Sequence, residues 1–418
     1  MPDLAATPAM PKPASYAARN SEYWKRNLWI CVFGSFTTLV SLTLMLPFLP
    51  IYVEGLGAAG NAAIAEWSGV AFGATFLGTA LTAPLWGSLG DRYGRKIMLV
   101  RAAFGMALIM PLLGCVHSVW QLVGLRLAAG LIGGYASSST MLIATQAPKD
   151  RSGWALGILS TGSLAGSLIG PVIGGTLAGL IGIRPTLFAS GGMIAVTAIL
   201  TLFFVREERA PKHAPAASHG AELKLPRATL AAMFGTAMLV LFANMSIEPI
   251  ITIYLRELAV AAKELVFDAG LVMAAAALGG VLMAPRLGRL ADRIGTSKVI
   301  VGGLAAAGLI MLPQALVSSW WQLALLRFAL GAALAGLLPS VAKVIRHAVP
   351  EQALGKVLGY SQSAQFAGQV LGPLAGGALG GLFGMRIVFV CTGMLLLAGA
   401  YCLQRRIGAI ANSTGEKG

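Results

Sequence analysis

Two residues stand out for the chemistry that their surroundings would force on them. Glu248, in Phe242-Ala243-Asn244-Met245-Ser246-Ile247-Glu248-Pro249-Ile250, sits in an otherwise apolar run. A carboxylate there is expensive to keep ionised and could carry a proton; the bland alternative is that it lies near an interface and is solvated. Arg126 falls well inside another apolar run. A buried guanidinium needs a carboxylate, carbonyl or water partner, and could bias the protonation of a nearby acid, unless it snorkels outward near its helix end. Arg327 repeats Arg126 later in the chain. The other acids fall in loops, tails or run ends. Four dispersed histidines and four cysteines without paired spacing offer no metal cluster or disulfide framework. No G-x-x-x-x-G-K-[ST] loop is present, which argues against ATP drive.

The elements that hold these residues are membrane spans. The 418 residues are 56% hydrophobic and 11% charged, where a soluble domain carries roughly a quarter charged. Apolar runs are continuous rather than alternating, which excludes a porin-like barrel. They lie near 28–53, 66–89, 97–116, 120–144, 153–179 and 185–205, then near 228–254, 266–288, 298–317, 321–345, 355–381 and 386–404. The expected fold class is therefore all-α, with twelve transmembrane helices in two pseudo-symmetric six-helix halves. The expected organisation is an N-terminal tail (1–27), a first half (28–205), a linker (206–227), a second half (228–404) and a C-terminal tail (405–418).

The formal charge of +15 does not point to nucleic acid, because location decides. Most of the 31 Lys and Arg residues cluster in alternate loops, as the positive-inside rule requires when both termini and the linker are cytoplasmic. The expected location is a membrane crossed many times, with both termini on its cytoplasmic side.

The halves repeat. Gly87-Ser88-Leu89-Gly90-Asp91-Arg92-Tyr93-Gly94 returns as Gly288-Arg289-Leu290-Ala291-Asp292-Arg293-Ile294-Gly295, and Trp120-Gln121-Leu122 with Arg126 and Gly130 returns as Trp321-Gln322-Leu323 with Arg327 and Gly331, both at an offset of 201. Gly166, Gly170-Pro171 and Gly174-Gly175 return as Gly368, Gly372-Pro373 and Gly376-Gly377 at 202, and so do Pro47 and Tyr52 as Pro249 and Tyr254. Duplicated halves place a substrate path at their interface and suggest rocking of one against the other.

Gly87, Asp91, Arg92, Gly94 and Arg95, with Asp292 and Arg293 in the copy, form a short basic loop. It can serve as a topogenic turn, or Asp91 can latch helices that part and re-join as the halves rock. Glycines at four-residue spacing, Gly166, Gly170 and Gly174 with Pro171, make a groove for a neighbouring helix. Packing alone accounts for it as well as gating does. Gln362, Gln365 and Gln369 share roughly one helical face, and with Tyr135, Asn244 and Tyr360 are candidates to line a substrate cavity; hydrogen bonding between helices is the alternative for each glutamine.

The loop Gly87-x-Leu89-x-Asp91-Arg92-x-Gly94-Arg95-Lys96-x-x-Leu99 resembles the loop signature of the major facilitator superfamily. The glycine motif around Pro171 resembles the signature of its antiporters. Trp24-Lys25-Arg26-Asn27, Leu46-Pro47-Phe48-Leu49-Pro50-Ile51-Tyr52-Val53-Glu54, Ile143-Ala144-Thr145-Gln146-Ala147-Pro148, Ser152-Gly153-Trp154-Ala155-Leu156-Gly157 and Ala284-Pro285-Arg286-Leu287-Gly288 are similar to the MdtG-type family of multidrug efflux proteins, in the drug:proton antiporter branch. The resemblance covers about residues 24 to 405. It implies a monomeric exporter of drug-like small molecules in a bacterial inner membrane, which needs no cofactor and draws on the proton gradient. It also implies a functional arginine at the position of Arg126. Many relatives in that branch carry an acid before the proline motif of the first helix; Thr43-Leu44-Met45-Leu46-Pro47 has none, so the usual proton carrier has no counterpart there. The competing readings are a proton-coupled or facilitative transporter of sugars or other metabolites on the same fold, and a membrane-embedded enzyme. The latter would need paired acids or a nucleophile and base on facing helices.

Overall fold

The computed structural model describes residues 16–148, 150–207 and 227–414. Most of the expected linker and much of the N-terminal tail therefore lie outside the described residues. Those residues form helices: α1 (Tyr16–Thr43), α2 (Leu49–Gly55), α3 (Gly60–Tyr93), α4 (Arg95–Gly114), α5 (Val119–Ile132), α6 (Tyr135–Gln146), α7 (Ser152–Ile181) and α8 (Ile183–Phe204), followed by α9 (Arg227–Ile247), α10 (Ile251–Glu257), α11 (Leu265–Ile294), α12 (Thr296–Gln314), α13 (Trp320–Leu334), α14 (Leu337–Ala348), α15 (Glu351–Phe383) and α16 (Met385–Thr414). Among the described residues, eleven helical stretches are long and apolar enough to cross a membrane.

Several apolar runs are broken where the sequence suggested one helix. The first is interrupted by turns at 44–48, around Pro47, and its copy by a short 3-10 turn, Glu248–Ile250, around Pro249. Proline removes a backbone donor and clashes with the preceding turn. The fourth run breaks at Gly133-Gly134 between α5 and α6. In the other direction, α1 starts at Tyr16, well before the apolar run, and α16 continues past Leu403 to Thr414. The early start has a reason in packing. Trp24, Leu28 and Asn27 are buried, and Asn27 Nδ2 donates to Gln146 Oε1 and to the Arg206 carbonyl, each at 2.7 Å.

The sequence repeat is also a repeat of contacts. Gly174 passes so close to the turn after α1 that a Cβ there would stand 1.9 Å from the Leu44 carbonyl oxygen; its copy Gly376 would meet the Ser246 carbonyl oxygen at 1.8 Å. Tyr52 donates to the Leu113 carbonyl at 2.6 Å, and its copy Tyr254 to the Gln314 carbonyl at 2.9 Å. Gln121 and Gln322 do the same work in α5 and α13. Each side-chain oxygen accepts from the backbone N–H of the residue before the N-cap, His117 at 2.8 Å and Ser318 at 2.9 Å, which ties the entering chain to the first helical turn. The recurring Trp-Gln-Leu motif thus fixes how the chain enters each helix.

The two repeats meet at the end of the bundle that carries Glu54. A Cβ on Gly69 would lie 2.3 Å from the Pro373 carbonyl oxygen, and one on Gly270 2.5 Å from that of Pro171. Gly175 approaches Val266 and its copy Gly377 approaches Ala65 in the same way. These pairs are equivalent under the repeat, so the interface is self-complementary, as a two-fold requires. At the opposite, basic end, the hydrogen bonds and ion pairs among the described residues stay within one repeat: Asp91 with Arg95, and Asp292 with Lys343 at 2.5 Å.

Candidate functional site

The break at Pro249 positions the principal acid. Glu248 opens the 3-10 turn between α9 and α10, partly buried, and its Oε1 lies 3.5 Å from Asn244 Nδ2, one turn earlier on α9. Its charged neighbour is Arg327 of α13: the two side chains act on each other electrostatically without an ion pair within 4.0 Å. Arg327 is 1% exposed, and its Nε and Nη1 have no hydrogen-bond partner among the described residues. A buried guanidinium with open donors beside a carboxylate is a place where charge is left to be completed by a proton, water or bound molecule.

Arg126 on α5 is 2% exposed. It does not snorkel to an end. Its Nε donates to the Ala71 carbonyl at 3.3 Å, Nη1 lies 3.9 Å from the Met45 sulfur, and the guanidinium stands 5.2 Å from the Phe72 ring. Its described partners are therefore a carbonyl, a thioether and an aromatic face, with no carboxylate among them. Of the two buried arginines, it is the copy, Arg327, whose charge bears on Glu248.

The cavity candidates divide. Tyr135 is buried in the packing of α1, α6 and α8: its hydroxyl lies 2.8 Å from Thr201 Oγ1, and a Cβ on Gly34 would meet it at 2.2 Å. Asn244 stands beside Glu248. On α15, Tyr360 and Gln362 are exposed, Gln365 and Gln369 are partly buried, and none of the three glutamines hydrogen-bonds to another described residue. The same helix turns Gly368, Gly372 and Gly376 onto α9. In the first repeat Gly166, Gly170 and Gly174 turn onto α1, with Pro171 buried among them.

The loop residues sit at the basic end. Gly94 has φ of 101° and its copy Gly295 98°, a backbone that side chains rarely adopt, and each ends one long helix and begins the next. Asp91 is 69% exposed and pairs with Arg95 one turn away. Arg92, Asp292 and Arg293 are exposed, and Gly87 has open space where a Cβ would be.

Sequence reasoning missed two contacts. Glu207 accepts from the backbone N–H of Arg95 at 3.0 Å and of Lys96 at 2.7 Å, closing the N-terminus of α4. A carboxylate suits the positive end of a helix, but the partner lies over a hundred residues away and local pattern cannot find it. At the other end Arg256 makes a two-pronged ion pair with Glu54, at 3.1 and 2.6 Å. The two residues lie 202 apart in sequence, too far for local pattern to pair them.

The comparisons agree with this geometry. The sequence profile of the Major Facilitator Superfamily matches residues 31–258 and again 232–415. The chain is 43% identical over 391 residues to a protein of Serratia proteamaculans named multidrug resistance protein MdtG, covering 92% of this chain and 95% of that one. It is 42% identical over 398 residues to the protein of that name from Yersinia enterocolitica, covering 93% and 96%. Among solved structures, a bacterial homologue of the human lysosomal transporter Spinster superposes with a TM-score of 0.74 at 16% identity, over 92% of this chain and 97% of that one. A human organic anion transporter does so with a TM-score of 0.66 at 18% identity, over 91% and 99%. At such identities the structures speak for the fold alone. A profile matched twice along the chain, near-full-length relatives and a duplicated helical bundle together place this chain in the major facilitator superfamily.

Proposed function

We propose that this protein is a secondary exporter of amphiphilic, drug-like small molecules, exchanging them for protons by alternating access. The observation that carries the coupling is Glu248 beside Arg327 on a helix broken at Pro249. Protonation of Glu248 would release the arginine's attraction, and deprotonation would restore it, so that proton and substrate alternate at one place. The relatives named for multidrug resistance support the cargo class and the direction of transport.

In this reading α1 with α2 is the twelfth span, and residues 28–205 and 228–404 are two pseudo-symmetric halves joined by a linker at 206–227. Both termini face the cytoplasm of a bacterial inner membrane, with the basic end inside. The protein works as a monomer, and no cofactor is required besides the proton gradient. The Glu54 end, tied across the repeats by Glu54 with Arg256 and Thr252 with Pro47, is then the outer gate, and the basic end is the inner one. Asp91 and Asp292, paired within their own halves in this state, are the latch residues that would reach across when the inner end closes. Asn244, Gln365 and Gln369 are the best placed of the cavity candidates, with Arg126 holding the first half's core at the same level.

The test is transport in vesicles with an imposed pH gradient, using cationic, neutral and anionic amphiphiles and a sugar panel. Gradient-dependent export of amphiphiles is the expected result. Export that continues unchanged after the gradient is collapsed overturns proton antiport, and transport of sugars alone overturns the cargo class.

A further inference from the structure

Trp24-Lys25 and Trp154, far apart in sequence, come together at the basic end of α1 and the start of α7. They border a cavity of about 440 Å³ lined by Trp24, Lys25, Leu28, Trp29, Arg151 and Trp154. Three of the six lining residues are tryptophans, two are cations and none is acidic. Trp24 and Trp154 meet edge to face with ring centroids 6.4 Å apart, and Trp29 and Trp154 remain 59% and 54% exposed. Lys25 Nζ lies 5.9 Å from the Trp24 ring, which draws the cation to the pocket wall. Among the described ion pairs, Arg151 Nε lies 3.7 Å from Asp150; both are more than half exposed, too loose a pair to cancel the positive charge.

The depth of the pocket is as telling as its composition. Leu28 and Trp154 stand where their apolar runs begin, with Lys25 and Arg151 just beyond. That is the level of a membrane interface, where indole rings settle and cations meet headgroups. Transport as described above uses none of these residues.

We infer that this pocket binds the headgroup of an anionic phospholipid. Lys25 and Arg151 take the phosphate, and the exposed faces of Trp29 and Trp154 lie against the glycerol and first acyl carbons. The cavity gives the headgroup a seat, the paired cations select its charge, and the tryptophans provide the amphipathic wall that a free inorganic anion would not need.

The test is native mass spectrometry of the full-length protein in detergent, titrated with phosphatidylglycerol and, in parallel, phosphatidylcholine. The wild type should retain phosphatidylglycerol in preference to phosphatidylcholine. The double variant Lys25→Gln, Arg151→Gln should lose retention by about tenfold or more, given the pull of each cation near a charged surface. Swapping the cations, Lys25→Arg with Arg151→Lys, should restore it, and Lys263→Ala at the other end should leave it unchanged. Equal retention of the two lipids, or undiminished retention in a double variant of wild-type melting temperature, overturns the assignment. The readout is binding, so it stands or falls apart from drug export.

Discussion

Glu54 and Arg256 occupy the same position in the two sequence repeats, 202 residues apart, and they pair with each other through two hydrogen bonds. One member of each repeat thus reaches across the pseudo-two-fold axis to its own counterpart, which carries the opposite charge. Close beneath, Thr252 Oγ1 donates to the carbonyl of Pro47 at 2.7 Å, again from one repeat to the other. These contacts close the end of the bundle at which the glycine-lined faces meet.

The ion pair is partly exposed, so its removal should shift the balance of states rather than unfold the protein. Exposed pairs contribute about 0–1 kcal/mol, up to roughly fivefold in an equilibrium. In a background without the native cysteines, Thr252→Cys should react slowly with an impermeant maleimide, because Thr252 is buried. Adding Glu54→Gln should speed that reaction, and the charge swap Glu54→Arg with Arg256→Glu should slow it again. An unchanged rate in Glu54→Gln would mean the pair does not hold this end shut.

Glu248→Gln keeps the shape and removes the titrating oxygen. Gradient-driven export should fall to the level seen without a gradient, while the protein still inserts and binds substrate. Arg327→Gln should be as damaging, and the double variant little worse than either alone, because the two groups act as a unit. Full gradient-driven export by Glu248→Gln places the proton elsewhere.

Gly174→Ala and Gly376→Ala would each push a methyl against a facing backbone carbonyl, of Leu44 and Ser246, less than 2 Å away. Neither oxygen can swing aside as a side-chain tip would. Overpacking of this kind costs about 1–3 kcal/mol, so a lower melting temperature in detergent is expected for both. Gly153→Ala, which has open space around it, is the control and should melt like wild type.

Glu207→Gln tests the tie between the start of the linker and the loop at Gly94. Losing the carboxylate at the N-terminus of α4 should cost about 1 kcal/mol. Because Arg95 is both the donor to Glu207 and the partner of Asp91, transport should slow together with stability, and Asp91→Asn should slow it with little loss of stability. A wild-type transport rate in Asp91→Asn would remove the loop from the conformational cycle.

The sequence by itself determined the helical class, the placement of nearly every span and the duplication, because continuous apolar runs and recurring motifs are local or periodic features. It also determined that Arg126, Arg327 and Glu248 are the charges to explain, since charge is rare in such runs. It misjudged where α1 begins, because the burial of Asn27 depends on Gln146 and Arg206 from distant parts of the chain. Only the tertiary structure decided which arginine stands by Glu248, that Tyr135 is packed among helices, and that Glu54 meets Arg256. Those are matters of which helix faces lie together. The four-residue spacing of the glycine rows announces a groove but not the helix that fills it; backbone approach selects the partner, and it exists only in the folded bundle.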